Sequence, residues 1–414
     1  MGLEPAAADR DERLGRSSPT WLSTQARNWK SFSRRRRRRQ CLALSGRTPA
    51  NVTAPAELAP WTAGEDVQVR KRGLAADASG PGGAVLFTVL AVLALTGGAG
   101  CGARTLAYEQ PPRPAGTAAT GLAPAVSSYR VGTADILVTD PAGITPRRGS
   151  VPAHPGRRLP TMLWFPVAGP PATADTPGAR PLAGSFPLVV FAHGFAVTPR
   201  YYEPLLHELV AHGYVVAAPL FPISAAGPAG APREDDMFRQ PGDITAVITT
   251  LTRLAARPVG TWSGVVDPAR VAIAGHSDGA ESVAAMVLYP GDRDPRVSAA
   301  VVLSGRAFPP PVPTGAPIPT LVEHGLADTT DPASRGRALF EQLSDPKAYL
   351  TEAAGSHTSA AVGSAPADRQ VRASIVAFLD TVLKGRPLGL AELRQHGSTP
   401  GSTALQVTGR LLPG

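Results

Sequence analysis

The feature that most restricts what this chain can fold into is a pentapeptide, Gly275-His276-Ser277-Asp278-Gly279, set between two patterns of different period. Before it, Val271-Ala272-Ile273-Ala274 reads as a buried strand; after it, Ala280–Leu288 reads as a helix. Passing from strand to helix within five residues forces the central serine onto a tight, strained turn. Side chains two positions either side would collide with the neighbouring strand and helix, so glycine is needed at both places. Chance alone can write Gly-x-Ser-x-Gly in a chain with 43 glycines. The strand–turn–helix setting is what makes Ser277 a candidate nucleophile.

A serine hydroxyl is a poor nucleophile until a base takes its proton, so Ser277 needs partners. In a sheet built around such a turn, an acid and then a histidine follow the serine along the chain. Thr320-Leu321-Val322-Glu323 reads as a strand running into His324-Gly325-Leu326-Ala327-Asp328, which places Asp328 on the loop at its C-terminal end. Asp331, three residues further on, is the other candidate acid, and the end of the strand favours Asp328. A later strand near 347–352 leads to Gly355-Ser356-His357, which makes His357 the candidate base. The negative charge of a tetrahedral intermediate also needs donors. Pro187–Ala192 reads as a central strand ending in His193-Gly194-Phe195, so the backbone N–H groups of Phe195 and Asp278 are the expected oxyanion hole. His193, His276 and His324 flank these motifs and read as packing or loop-bonding residues, and Tyr201-Tyr202 as a helix start packed on its neighbours.

From Tyr129 onward, apolar runs of strand length alternate with helical patterns, the signature of βαβ units and a mainly parallel sheet. Strands are expected at 128–138, 160–166, 187–192, 214–218, 270–275, 298–304, 318–323 and 347–352. Helices are expected at 199–212, 243–257, 278–288, 333–343 and 368–384. The expected domain spans 127–385, of fold class α/β with a mainly parallel central sheet and helices on both faces; 386–414 reads as a tail without strong pattern. Two segments follow strands at the catalytic edge, 221–242 and Phe308-Pro309-Pro310-Pro311-Val312-Pro313, and are expected to shape the substrate pocket.

The net charge of +9 is misleading until located. Residues 1–72 hold 15 Lys/Arg and 7 Asp/Glu, leaving the remainder nearly balanced, with no basic face to argue for nucleic acid. Both cysteines, Cys41 and Cys101, precede the folded region, so its core has neither a disulfide framework nor a cysteine metal cluster. No phosphate-binding or dinucleotide-binding glycine pattern occurs, and no cofactor is expected.

Residues 1–66 lack sustained apolar periodicity and include the run Arg34–Arg39. They read either as a basic arm or as a stretch upstream of the true start, and the pattern from Arg70 to Cys101 favours the second. Arg70-Lys71-Arg72, the apolar run Ala84–Leu95 and small residues up to Cys101 have the order of a secretory signal over 67–101. The run is shorter than the roughly 20 residues of a membrane span. Ala99-Gly100-Cys101 is similar to a bacterial lipobox, although Gly98 stands where leucine is preferred. Lipidation at Cys101, with a tether to the outer face of the cytoplasmic membrane, and simple secretion are the two expectations. The Pro-, Ala- and Gly-rich residues 102–126 read as a flexible linker.

Taken together, Arg158–Pro166, Pro187–Phe195, Tyr202–Leu209, His212–Pro219, Gly275–Gly279, His324–Asp328 and Gly355–His357 resemble the α/β-hydrolase superfamily. The likeness is to platelet-activating-factor acetylhydrolase-like and dienelactone-hydrolase-like esterases and bacterial cutinase-like relatives, and it spans about 128–384. The resemblance implies hydrolysis of a small-molecule or lipid ester through an acyl-enzyme, without a metal. Two departures stand out. Asp278 replaces the small or apolar residue often found beside the serine in polyesterases, and the cysteine nucleophile of dienelactone hydrolases proper is absent. The same triad would also suit a peptidase or thioesterase, and hydrolase folds are also reused as non-catalytic binding modules.

Overall fold

The computed structural model describes residues 128–412 apart from 173, 228–229 and 307–315. The expectations placed on 1–66, the signal with Cys101, the linker 102–126 and Phe308–Pro313 lie outside the described residues.

The described chain builds a ten-stranded sheet in the order β10-β9-β8-β7-β6-β4-β5-β2-β1-β3. Its strands are β1 (Arg130–Thr145), β2 (His154–Val167), β3 (Thr176–Pro177), β4 (Phe186–Ala192), β5 (Val215–Pro219), β6 (Val266–His276), β7 (Val297–Leu303), β8 (Thr320–Gly325), β9 (Lys347–Glu352) and β10 (Thr403–Thr408). The run from β5 through β4, β6, β7 and β8 to β9 is parallel, whereas β2 joins β5 and β10 joins β9 antiparallel. Helices α1 (Glu203–Ala211), α2 (Gln240–Ala255), α3 (Asp278–Leu288), α4 (Ala333–Gln342), α5 (Ser359–Val362), α6 (Pro366–Lys384) and α7 (Gly389–Gly397) complete the domain. The mainly parallel sheet with helices on both faces is the α/β-hydrolase architecture that the sequence leads one to expect.

The strand β4 shows why the sheet sits in the middle. Leu188 and Val190 point into a core shared with α2, α3 and α4, while Val189 and Phe191 point into the opposite core, shared with α1 and α6. All four are fully buried. A strand covered on both faces must be apolar at every position, not at alternate ones. Each such side chain stabilises the fold by about 1.5–3 kcal/mol relative to exposure.

All eight expected strands form, and their differences from expectation have local causes. The sequence predicts a first strand over 128–138, whereas β1 runs on to Thr145. The register shifts between Asp140 and Ile144 before antiparallel pairing with β2 resumes, a bulge in which Asp140 Oδ1 accepts the Ala142 N–H at 3.0 Å. Helix α6 starts two residues early, at Pro366, a residue suited to a first turn. Asp368 accepts the Ala365 N–H at 2.5 Å there, and Gly385, with φ 63°, ends the helix.

The expected tail at 386–414 is corrected most. It carries α7 and the edge strand β10, whose Leu405 and Val407 pack on the α6 side of the sheet. Two apolar residues in alternation are too short a pattern to declare a strand; pairing with β9 over six residues supplies what the sequence pattern lacks.

Candidate active site

The turn after β6 adopts the strained form its glycines suggest. Ser277 has φ 54° and ψ −123°, a conformation that L-residues rarely take. A Cβ on Gly275 would strike the Gly279 carbonyl, and one on Gly279 would strike the Ala192 carbonyl at the end of β4. The elbow is thus wedged between its own helix and the loop after β4. Ser277 N–H donates to Leu303 O at 3.1 Å and its carbonyl accepts from Glu281 N–H at 3.0 Å, which fixes the turn on both sides.

The structure brings the loops after β8 and β9 to this serine. His357 Nε2 lies 3.0 Å from Ser277 Oγ, and His357 Nδ1 lies 2.7 Å from Asp328 Oδ2. Asp328 Oδ1 accepts the backbone N–H groups of Thr330 (2.8 Å) and Asp331 (2.9 Å), and His324 Nε2 stands 3.2 Å from Oδ2. Burial alone would raise the carboxyl's pKa. The hydrogen bonds from His324, His357 and the Asp331 backbone outweigh it and hold Asp328 well below the usual carboxylate range. Asp331, the rival acid, turns away to Arg335 and Arg306.

The two expected oxyanion donors, the N–H groups of Phe195 and Asp278, lie on segments next to Ser277. Asp278 is the first residue of α3, where an N–H has no acceptor within the helix. Phe195 follows Gly194, whose Cα borders Ser277 closely enough that an added Cβ would lie 3.2 Å from the serine Cβ. The next residue, Ala196, has φ 55° and donates its N–H to Ser224 O at 2.9 Å. The segment expected to overhang the site is therefore packed on this loop: Phe221 N–H donates to His193 Nε2 at 3.1 Å, and Ala226 N–H to Val197 O at 3.2 Å. His193 is fully buried, and that burial outweighs its bond to the Gly194 carbonyl and lowers its pKa to about 4.

The side chain of Asp278 behaves unlike that of Asp328. It is buried, and its Oδ2 has no hydrogen-bond partner among the described residues. Burial first, and then the Glu234 carboxyl, push its pKa up to about 8, against the pull of Arg306. Arg306, also buried, is paired with Glu281 and Asp331.

Several residues important to this arrangement were missed from sequence. Arg157 in β2 is buried and reaches Asp243 of α2 through two contacts of 2.7 Å and Asp236 through one of 2.9 Å. Asp236 in turn accepts the Ile223 and Ser224 N–H groups, so this cluster holds the segment beside Ala196. A signal existed: period-two alternation puts Arg157 in phase with inward-facing Leu159, Thr161 and Leu163. Arg306 and the Tyr202 hydroxyl gave no comparable signal.

A family model described as chlorophyllase, an α/β-hydrolase-type esterase family, matches residues 175–305. That stretch takes in the loop after β4 and the elbow, and ends ahead of Asp328 and His357. Among solved structures, the ferulic acid esterase from Streptomyces cinnamoneus is similar at 23% identity over 63% of this chain and 92% of that one, with a TM-score of 0.47. No curated protein matches the sequence. The fold, the elbow on its sixth strand and the matched family segment agree on one placement: this chain is an α/β-hydrolase-fold relative of the carboxylic-ester hydrolases.

Proposed function

We propose that the chain cleaves carboxylic esters through an acyl-enzyme on Ser277. The observation that carries this reading is the unbroken contact series from Ser277 Oγ through His357 to Asp328. As Oγ attacks the ester carbonyl, its proton passes to His357 Nε2. Asp328 keeps the Nδ1 proton in place and stabilises the imidazolium. The Phe195 and Asp278 N–H groups receive the developing oxyanion, a donor of this kind being worth about 10²–10³ in rate. The imidazolium then protonates the departing alcohol, and water repeats the sequence to release the acid.

The exposed side chains of Phe195 and Leu326 lie on the loops that carry the expected oxyanion donor and Asp328, which favours an ester with an apolar flank, a small molecule or a lipid. Export, with the domain secreted or tethered through an acylated Cys101, is part of the proposal and is tested by intact mass of the native protein. The catalytic reading is tested on a short-chain aryl ester. Folded Ser277→Ala should lose hydrolysis by about 10⁴-fold or more; undiminished turnover would remove the mechanism.

A further inference from the structure

His276, beside the nucleophile, and Tyr202, at the start of α1, are buried and touch no reacting atom in the proposed mechanism, yet their hydrogen bonds join three loops of the site. His276 Nε2 lies 2.7 Å from the His357 carbonyl oxygen. A carbonyl only accepts, so this nitrogen carries a proton and donates. Burial, reinforced by the neighbouring His357, lowers the His276 pKa to about 4, so the ring is neutral and its Nδ1 is an acceptor. The Tyr202 hydroxyl, 3.0 Å away, therefore donates to Nδ1 and in turn accepts the Gly194 N–H at 2.9 Å. Every proton in the series has one allowed direction. A side chain at Gly194 would crowd both partners: an added Cβ would lie 3.0 Å from the Tyr202 oxygen and 3.2 Å from His276 Nδ1, so each would have to give way.

We propose that Tyr202 and His276 are positioning residues. The relay from Gly194 N–H to Tyr202 O–H to His276, and from His276 N–H to the His357 carbonyl, sets the oxyanion loop and the base against Ser277 as one unit. Gly194 precedes the Phe195 donor, and the carbonyl that His276 holds belongs to the base itself. Loosening one end of the relay thus misplaces the oxyanion donor, and loosening the other misplaces the proton acceptor. Both are rate terms that leave ground-state ester binding untouched.

The inference rests on the acyl-enzyme reading, and the test keeps the two apart. In the full chain, Tyr202→Phe deletes one oxygen; His276→Leu removes both bonds; His276→Gln supplies an amide that donates and accepts at once. Turnover is counted per site titrated with a fluorophosphonate, so a loss of folded protein does not register as a loss of rate. Tyr202→Phe and His276→Leu should lower kcat about 10- to 100-fold with KM within about twofold. His276→Gln should stay within about threefold of the parent and leave the acid limb of the pH profile in place, because the parent His276 does not titrate there. Wild-type kcat in Tyr202→Phe would overturn the relay, as would an acid limb displaced in His276→Gln. Should His276→Leu fail to fold, Tyr202→Phe carries the test alone. If Ser277→Ala keeps its activity, the acyl-enzyme reading fails; if Ser277→Ala is inactive and Tyr202→Phe is unimpaired, only the relay fails.

Discussion

Two aspartates stand beside Ser277, and the structure gives them opposite electrostatic characters. Asp328 is surrounded by donors: two backbone N–H groups on one oxygen and two imidazoles on the other. Asp278 is as thoroughly removed from water, yet it has an orphaned oxygen and acidic neighbours. The first is held ionised and the second is held neutral near pH 7. Residue type does not decide the charge of an acid at this edge of the sheet; the count of donors facing it does. The comparison also revises what Asp278 means for substrates. An acidic side chain beside the oxyanion hole, read from sequence alone, suggests repulsion of anionic esters, and a protonated one exerts none until the pH approaches 8.

The sharpest way to break the comparison is to take the charge from Asp328 and leave its shape. Asp328→Asn should lower kcat on an aryl ester by about 10⁴-fold, since the imidazole loses both its tautomer control and the charge that stabilises imidazolium. Steady-state kinetics on folded protein would show it, and a loss under tenfold would mean that Asp328 is not the orienting acid. A second test turns paired acids into unpaired ones elsewhere. Arg157→Ala leaves Asp236 and Asp243 buried without their cation, and urea denaturation should record a loss of about 3–5 kcal/mol. The smallest effect is expected at Asp278. Its raised pKa means the folded state holds a proton that the unfolded chain releases near pH 4. Stability from this group is therefore complete below about pH 4 and is lost as pH rises through about 8. Asp328 works with the opposite sign: its contribution is present above about pH 4 and is lost as acid protonates it. Asp278→Asn should flatten the decline in melting temperature between pH 5 and 9 and leave turnover at pH 7 within a few-fold. It should also remove a fall in kcat above pH 8, where a new negative charge would arise on the residue next to Ser277.

How much was legible in the sequence depends on how local each constraint is. Gly275 and Gly279 speak plainly because a steric requirement within five residues leaves few alternatives, and the strand endings at Phe195, Asp328 and His357 are marked by changes of period. The choice between Asp328 and Asp331 rested on distance from a strand end, and the arginines that draw Asp331 away appear only in three dimensions. The relay was invisible for a similar reason. Tyr202 and His276 are 74 residues apart, and a buried hydroxyl aimed at a neutral imidazole leaves no periodic trace. Even so, the reading of Tyr202 as a packed helix start and of His276 as a packing or loop-bonding residue agrees with their burial and with the His276 bond to the His357 carbonyl, and leaves only the partners unnamed. The edge strand β10 shows the converse, a segment whose own pattern is too weak to fold and whose structure comes from its partner.

The claim on which the rest depends is that Ser277 is the activated nucleophile of this edge. Reaction of the folded protein with a fluorophosphonate, then peptide mapping of the product, tests it most directly. The account predicts one adduct per chain, on Ser277, absent from the heat-denatured protein and from Ser277→Ala. Adduct formation at another residue, or none on folded protein, would contradict it.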